Sequence, residues 1–145
     1  MKKSNNPVWA NSPCENFRYC ELVTNSKRPI HNNWQTNTKL FSEVLDAHNT
    51  RQANIGLVLG KSSSVIDIDC DSHEAVAVTQ QLVDGYLGHY KRGHDSAHYL
   101  FLCEGGGKTV QLADQDGKVI VELRGDGGQT MVPPSTHPDG NQLSF

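Results

Sequence analysis

"SSVIDIDCDS", residues 63–72, places Asp67, Asp69 and Asp71 at alternate positions straight after an apolar, β-branched run. Valine and isoleucine favour extended backbone, and on a strand residues i, i+2 and i+4 share a face. The three aspartates are therefore expected to project one way and Ile66, Ile68 and Cys70 the other, so that one face is core and the opposite face a carboxylate row. Crowded carboxylates repel one another and call for a cation or water to receive them. Same-face residues sit ~6.6 Å apart at Cα, and flexible carboxylates at that spacing can share two metal ions ~3.5–4 Å apart. The residues alone leave two readings open, a two-metal platform or a strand running out into a solvated acidic turn. An EF-hand calcium loop also opens D-x-D-x-D, but its sixth position would be Ser72 instead of Gly and its twelfth Val78 instead of Glu.

On either side of it, "FRYCELV" (17–23), "NIGLVLG" (54–60), "SAHYLFLC" (96–103) and "KVIVELR" (118–124) read as further strands. "KLFSEVLDAHN" (39–49) reads as a helix with Leu40, Phe41, Val44 and Leu45 on one side. "SHEAVAVTQQLVDGYLG" (72–88) reads as a second, capped by Ser72 and burying Val76, Leu82 and Val83. "GDGG" (125–128) is a tight turn into "QTMVPPS". Elements mixed in this order predict an α/β or α+β domain built on one central sheet.

Two of those strands carry polar residues among apolar ones. In "VIVELRG", Val119, Val121 and Leu123 share one face, leaving Glu122 and Arg124 with Ile120 on the other. In "DSAHYLFL", His98 has Leu100 on its own side and Tyr99 and Phe101 opposite. Taken singly, Glu122 reads as the solvated face of an edge strand and His98 as a satisfied structural histidine. "EGGGKTV" ends in Gly-Lys-Thr, yet a phosphate-binding P-loop needs a glycine at position 102, which is Leu102. Any ATP-driven helicase is thus expected outside this chain.

The 145 residues, 36% hydrophobic and 20% charged, suit one globular domain over 1–145, with about the first 15 residues fraying and the C-terminus short of a longer protein. No apolar run approaches the ~20 residues of a membrane span, and "MKKSNNPVWANS" lacks a signal peptide's apolar core. A cytoplasmic protein with no membrane partner is expected. Cys14, Cys20, Cys70 and Cys103 have neither zinc-site spacing nor the density of a disulfide scaffold, and read as reduced, mostly buried thiols. A net charge of −3 argues only weakly against a nucleic-acid partner, because two divalent ions would cancel it.

Co-occurrence in chain order changes the odds. Asp67-x-Asp69, then Ser96-x-His98, then Glu122 in "VELRGDGG", with "KRPIHNNW" (27–34), "NIGLVLG" and "TMVPPSTHPDG" (130–140) as flanks, resembles the catalytic domain of the primase-polymerases of the archaeo-eukaryotic primase superfamily, found in phages, plasmids and other mobile elements. The resemblance covers about residues 20–145. Two departures are the irregular "KRGHDSAH" before His98 and the chain's end at "NQLSF". It implies an α+β (α/β) primase-polymerase fold, with a central mixed, largely antiparallel sheet of RRM-like palm type flanked by helices. It implies a DNA primase/DNA polymerase that makes or extends primers from nucleoside triphosphates on single-stranded DNA, with two Mg²⁺ or Mn²⁺ ions. Asp67, Asp69 and Glu122 would be the ligands, with Asp71 outside or behind them, and His98 would touch the incoming triphosphate. Ser96, Lys91, Arg92 and Arg124 are further nucleotide-binding candidates, since anionic oxygens need charge-assisted donors. Lys27 and Arg28 are weaker ones, and Ser135 and His137 either border the pocket or shape a rigid turn.

Two rival classes remain. A metal-dependent sugar-nucleotide transferase also uses Asp-x-Asp, but needs neither the Ser-x-His strand nor the "PPSTHPDG" turn. A replication-initiation module could bind single-stranded DNA without synthesis, although 7% aromatics and no dense basic stripe predict weak, salt-sensitive binding.

Overall fold

The computed structural model describes residues 16–91 and 95–144. Within them the chain forms β1 (Tyr19–Leu22), α1 (Phe41–Arg51), β2 (Asn54–Val58), β3 (Val65–Cys70), α2 (His73–Leu82), β4 (Gly88–Lys91), β5 (Ala97–Leu102), β6 (Val110–Ala113), β7 (Val119–Arg124) and β8 (Gln129–Val132). The fold is α+β, as the primase-polymerase resemblance implies. Instead of one central sheet there are two, ordered β1-β2-β8 and β4-β5-β3-β7-β6. Every pairing between these strands is antiparallel, so the expected mixed component is missing from the described residues.

The acidic strand β3 lies at the centre of the larger sheet, between β5 and β7. Its faces alternate as expected, but their burial is inverted. Asp67 and Asp69 are 0% and 5% exposed, while Ile66 and Ile68 are only half-buried. The reason is what covers each face. The Asp67 face, which also carries Val65 and Leu100, joins the main core with Tyr19, Leu22, Ile55, Leu57 and Val132 of the three-stranded sheet. The opposite face meets α2 and the ring of Tyr86 beyond it, in a smaller cluster of Cys70, Ala75, Ala97 and Tyr99 edged by Ile68, Phe101 and Val121.

Both helices start on local signals. The Glu43 carboxylate accepts the Leu40 N–H at 2.7 Å ahead of α1, and Ser72 Oγ accepts the Ala75 N–H at 3.1 Å to cap α2. The second helix stops at Leu82, short of the expected Gly88, and Leu82 is 78% exposed instead of buried. Gly85 adopts a left-handed φ of 73°, and the Leu87 N–H then donates to the Leu100 carbonyl. The residues after Leu82 run instead as a connection into β4, which starts only at Gly88 and whose pairing with β5 satisfies its backbone. Strands β4, β6 and β8 go beyond those the sequence pattern predicts; β6, in which Val110 and Leu112 flank Gln111, is exposed along its whole length.

The "GDGG" turn carries the chain from the large sheet to the small one. Asp126 Oδ1 accepts the Lys61 N–H at 2.8 Å and the Asp126 N–H donates to the Gly107 carbonyl at 2.6 Å, joining three loops. Gly60 and Gly106 both have a φ of 75°, and a Cβ on either would run into Asp126. No helix of the described residues is long and apolar enough to cross a membrane. The thiols of Cys20, Cys70 and Cys103 are free, and burial, helped by nearby Glu21, pushes the Cys20 thiol up to about 12. Cys14 lies outside the described residues.

Candidate active site

Strand register assembles the site. Asp69 stands directly across from His98 on β5 and from Glu122 on β7. Asp67, two residues earlier, stands across from Leu100 and Arg124. Directly opposed residues share a face with Cβ atoms ~4.5–5.5 Å apart. Three β-segments thus bring two aspartates, a histidine, a glutamate and an arginine to one surface, which turns toward the smaller sheet.

His98 bridges the aspartates. Its Nδ1 lies 2.9 Å from Asp67 Oδ2 and 3.5 Å from Thr130 Oγ1, and its Nε2 lies 3.4 Å from Asp69 Oδ1. Burial works against a charged imidazole here, but Asp67, through charge and hydrogen bond, and then Asp69 outweigh it and hold the His98 pKa above its ordinary value. Burial raises the Asp69 pKa, an effect opposed by His98 and reinforced by Asp67.

Arg124 supplies the second cation. Its Nη1 sits 3.9 Å from Asp67 Oδ2 and 3.8 Å from Asp69 Oδ2, and its Nε 3.8 Å from Glu122 Oε2. Its Nη2 donates to the Gln129 carbonyl at 2.8 Å, which anchors the guanidinium to β8. Glu122 Oε1 also accepts from Gln111 Nε2 at 3.1 Å. Among the described residues no three Asp, Glu, His or Cys side chains are grouped as ready metal ligands.

Even so, two buried carboxylate oxygens, Asp67 Oδ1 and Asp69 Oδ1, have no hydrogen-bond partner among the described residues, the latter meeting only the 3.4 Å approach of His98. A buried, unsatisfied carboxylate oxygen is costly, and paired aspartate oxygens are the donor set a hard divalent ion takes. Mg²⁺ in particular is commonly held by one or two carboxylates, with water and substrate phosphates filling its other positions. The residues present fit such an ion.

Beside the aspartates opens a small cleft of about 40 Å³ whose lining includes Lys27, His98, Arg124, Thr130, Met131 and His137. Four of these six side chains are cationic or can become so, which suits an anionic ligand next to carboxylates only if cations mediate between them. Of the other residues predicted from sequence, Ser96 is buried just before β5. Lys91 is exposed and in register with Ala97, on the face away from His98, so it is not brought to the cluster. Arg92 lies outside the described residues. Asp71 falls just beyond β3, its N–H donating to the Ile120 carbonyl. Arg28 is exposed, its N–H donating to Ser26 Oγ. Ser135 is fully buried, accepting from the Ile55 N–H at 2.8 Å, and so shapes the turn, whereas His137 lines the cleft. Thr130 and Met131 open the "TMVPPSTHPDG" flank but are not among the residues predicted for the site; recognising "QTMV" as a strand would have aimed Thr130 by alternation.

No curated protein matches the chain. The family model of the N-terminal bifunctional DNA primase/polymerase domain matches residues 9–145. That family carries DNA primase and polymerase activity, a nucleotidyl transfer, and its enzymes are typically metal-dependent. With Asp67-x-Asp69, Ser96-x-His98 and Glu122 on adjacent strands of one sheet and nearly the whole length covered, the chain belongs to the bifunctional DNA primase/polymerase family.

Proposed function

We propose that this chain makes or extends primers on single-stranded DNA. A 3′-hydroxyl, or the first nucleotide when a strand is begun, attacks the α-phosphate of a nucleoside triphosphate and pyrophosphate leaves. The observation that carries the reading is the pair of orphaned oxygens on buried Asp67 and Asp69, set beside a cleft lined by Lys27, His98, Arg124 and His137. Asp67 and Asp69 would hold Mg²⁺ or Mn²⁺, with Glu122, in register with Asp69, as the third carboxylate. Two such ions, when bound, lower the pKa of an attacking hydroxyl and offset charge on the leaving oxygen.

The chain's own residues do the rest. Arg124 and His98, which balance the carboxylates, are placed to take triphosphate oxygens as charge-assisted donors. The Gln129 carbonyl orients the guanidinium, and the smaller sheet excludes water from the aspartate face. Replication of a phage, plasmid or other mobile element, with a helicase supplied from outside this chain, is the setting this reading fits.

A gel assay of nucleotide incorporation with Mn²⁺, on primed and unprimed single-stranded templates, tests it. Wild type should incorporate, and Asp67→Ala/Asp69→Ala should lose on the order of 10²–10³-fold or more, the scale of removing a charge-stabilising group. Equal inertness with equal DNA binding would make the chain a replication-initiation binder instead.

A further inference from the structure

The cleft's outer basic side chains, Lys27 and His137, come from two loops, and one buried side chain holds both. Asn54, the first residue of β2, is 2% exposed. Its Nδ2 donates to the Thr136 carbonyl at 2.6 Å and lies 3.2 Å from the Ser26 carbonyl. Its Oδ1 accepts the Thr136 N–H at 3.0 Å, so the amide pairs with that residue's backbone as a neighbouring strand would. The same Nδ2 lies 3.3 Å from Met131 Sδ. Each loop residue held in this way is followed at once by a cleft-lining basic side chain, Ser26 by Lys27 and Thr136 by His137, whose Nδ1 lies 2.9 Å from Asp139 Oδ1, and Met131 itself lines the cleft.

A buried amide is tolerated only when its donors and acceptor are satisfied, and here its loop partners are the two backbones that carry basic side chains to one cleft. The "PPST" loop does not need Asn54 merely to stay attached, because Ser135 already ties it to Ile55. What Asn54 adds is the relative placement of two loops far apart in the chain, Lys27 being further fixed by Gln129 Nε2 donating to its carbonyl at 2.9 Å. We infer that Asn54 is a positioning residue that sets the spacing of Lys27 and His137 for the phosphates of the incoming nucleotide. The inference rests on the nucleotidyl-transfer reading above and assigns the cleft mouth of that same site.

The test is a thermodynamic cycle. Affinity for dATP in the presence of Mn²⁺ is measured by calorimetry for the full chain, for Asn54→Ala, for Lys27→Ala/His137→Ala and for the triple variant, with steady-state KM and kcat beside it. Asn54→Ala should raise Kd and KM about tenfold, the equivalent of one charge-assisted hydrogen bond to phosphate, with kcat within about twofold. In the background lacking Lys27 and His137 the same change should move Kd less than about twofold, an insensitivity that a merely structural role would not produce. An Asn54 effect of equal size in both backgrounds overturns the inference, as does an unchanged Kd in Asn54→Ala. Should that variant fail to fold, the Lys27→Ala/His137→Ala protein decides alone, because an unchanged Kd there leaves nothing for Asn54 to position. Wild type that binds neither dATP nor ATP overturns the nucleotidyl-transfer reading and this inference with it.

Discussion

Arg124 stands where a metal ion would be expected to sit electrostatically, within 3.9 Å of Asp67, Asp69 and Glu122. Its side chain is 24% exposed, so its attraction to buried carboxylates is screened only in part. Arg124→Gln should therefore lower the stability of EDTA-treated protein by about 1–2 kcal/mol, and the deficit should shrink when Mn²⁺ is added, because another cation then balances the aspartates. Melting temperatures with and without Mn²⁺ read this directly, and a deficit that Mn²⁺ leaves unchanged would count against the ligand assignment. His98 offers a second residue-scale prediction. A histidine whose folded-state pKa is raised contributes stability that is fully present below its unfolded value near 6.5 and is lost as pH rises through the folded value. In EDTA-treated protein the stability advantage of wild type over His98→Gln should thus shrink as pH climbs past about 6.5, and an advantage that grows would show the sign to be wrong. The alternation of "VIDID" made these partners legible as side chains sharing a face. It could not show that the face would be buried, because that depends on a second sheet built from segments far away in the chain.

At the scale of elements, turns and strand ends decide what the sequence leaves open. The pattern over 72–88 reads as a longer helix than forms because "LVDGYLG" keeps apolar residues at helical spacing, while the left-handed φ of Gly85 and the pairing of β4 with β5 end it at Leu82. Leu82→Lys tests the correction: on a solvent-facing last turn it should change stability by no more than about 0.5 kcal/mol in denaturant titration, whereas a core position would lose several times that. The glycines around Asp126 make the opposite prediction. Gly60→Ala, at a positive φ and against Asp126, should cost about 1–3 kcal/mol by the same titration, and a neutral result would mean the three-loop junction does not hold as described. Neither Gly60 nor Gly106 announces this in sequence, since the collision lies between loops that only the fold brings together.

Across the whole molecule, the two sheets enclose the site between them: the large one supplies carboxylates, His98 and Arg124, the small one Thr130 and, through its loops, Lys27 and His137. A triphosphate in the cleft would touch both sheets, so binding should stabilise the fold. At a nucleotide concentration 100 times Kd the gain is about 2.7 kcal/mol, visible as a rise in melting temperature for wild type with dATP and Mn²⁺ and lost in Asp67→Ala/Asp69→Ala. The family was legible because three motifs kept their order. The division into two sheets was not, because β8 carries too short an apolar pattern and β1, β2 and β8 meet only through long-range pairing. The most direct test of the account is an anomalous-difference map from crystals of the full chain soaked with Mn²⁺ and a non-hydrolysable deoxynucleoside triphosphate. A manganese peak should lie against Asp67 and Asp69, with phosphates reaching Arg124 and His98. Manganese bound elsewhere, with both aspartates still closed on Arg124 and His98, would contradict it.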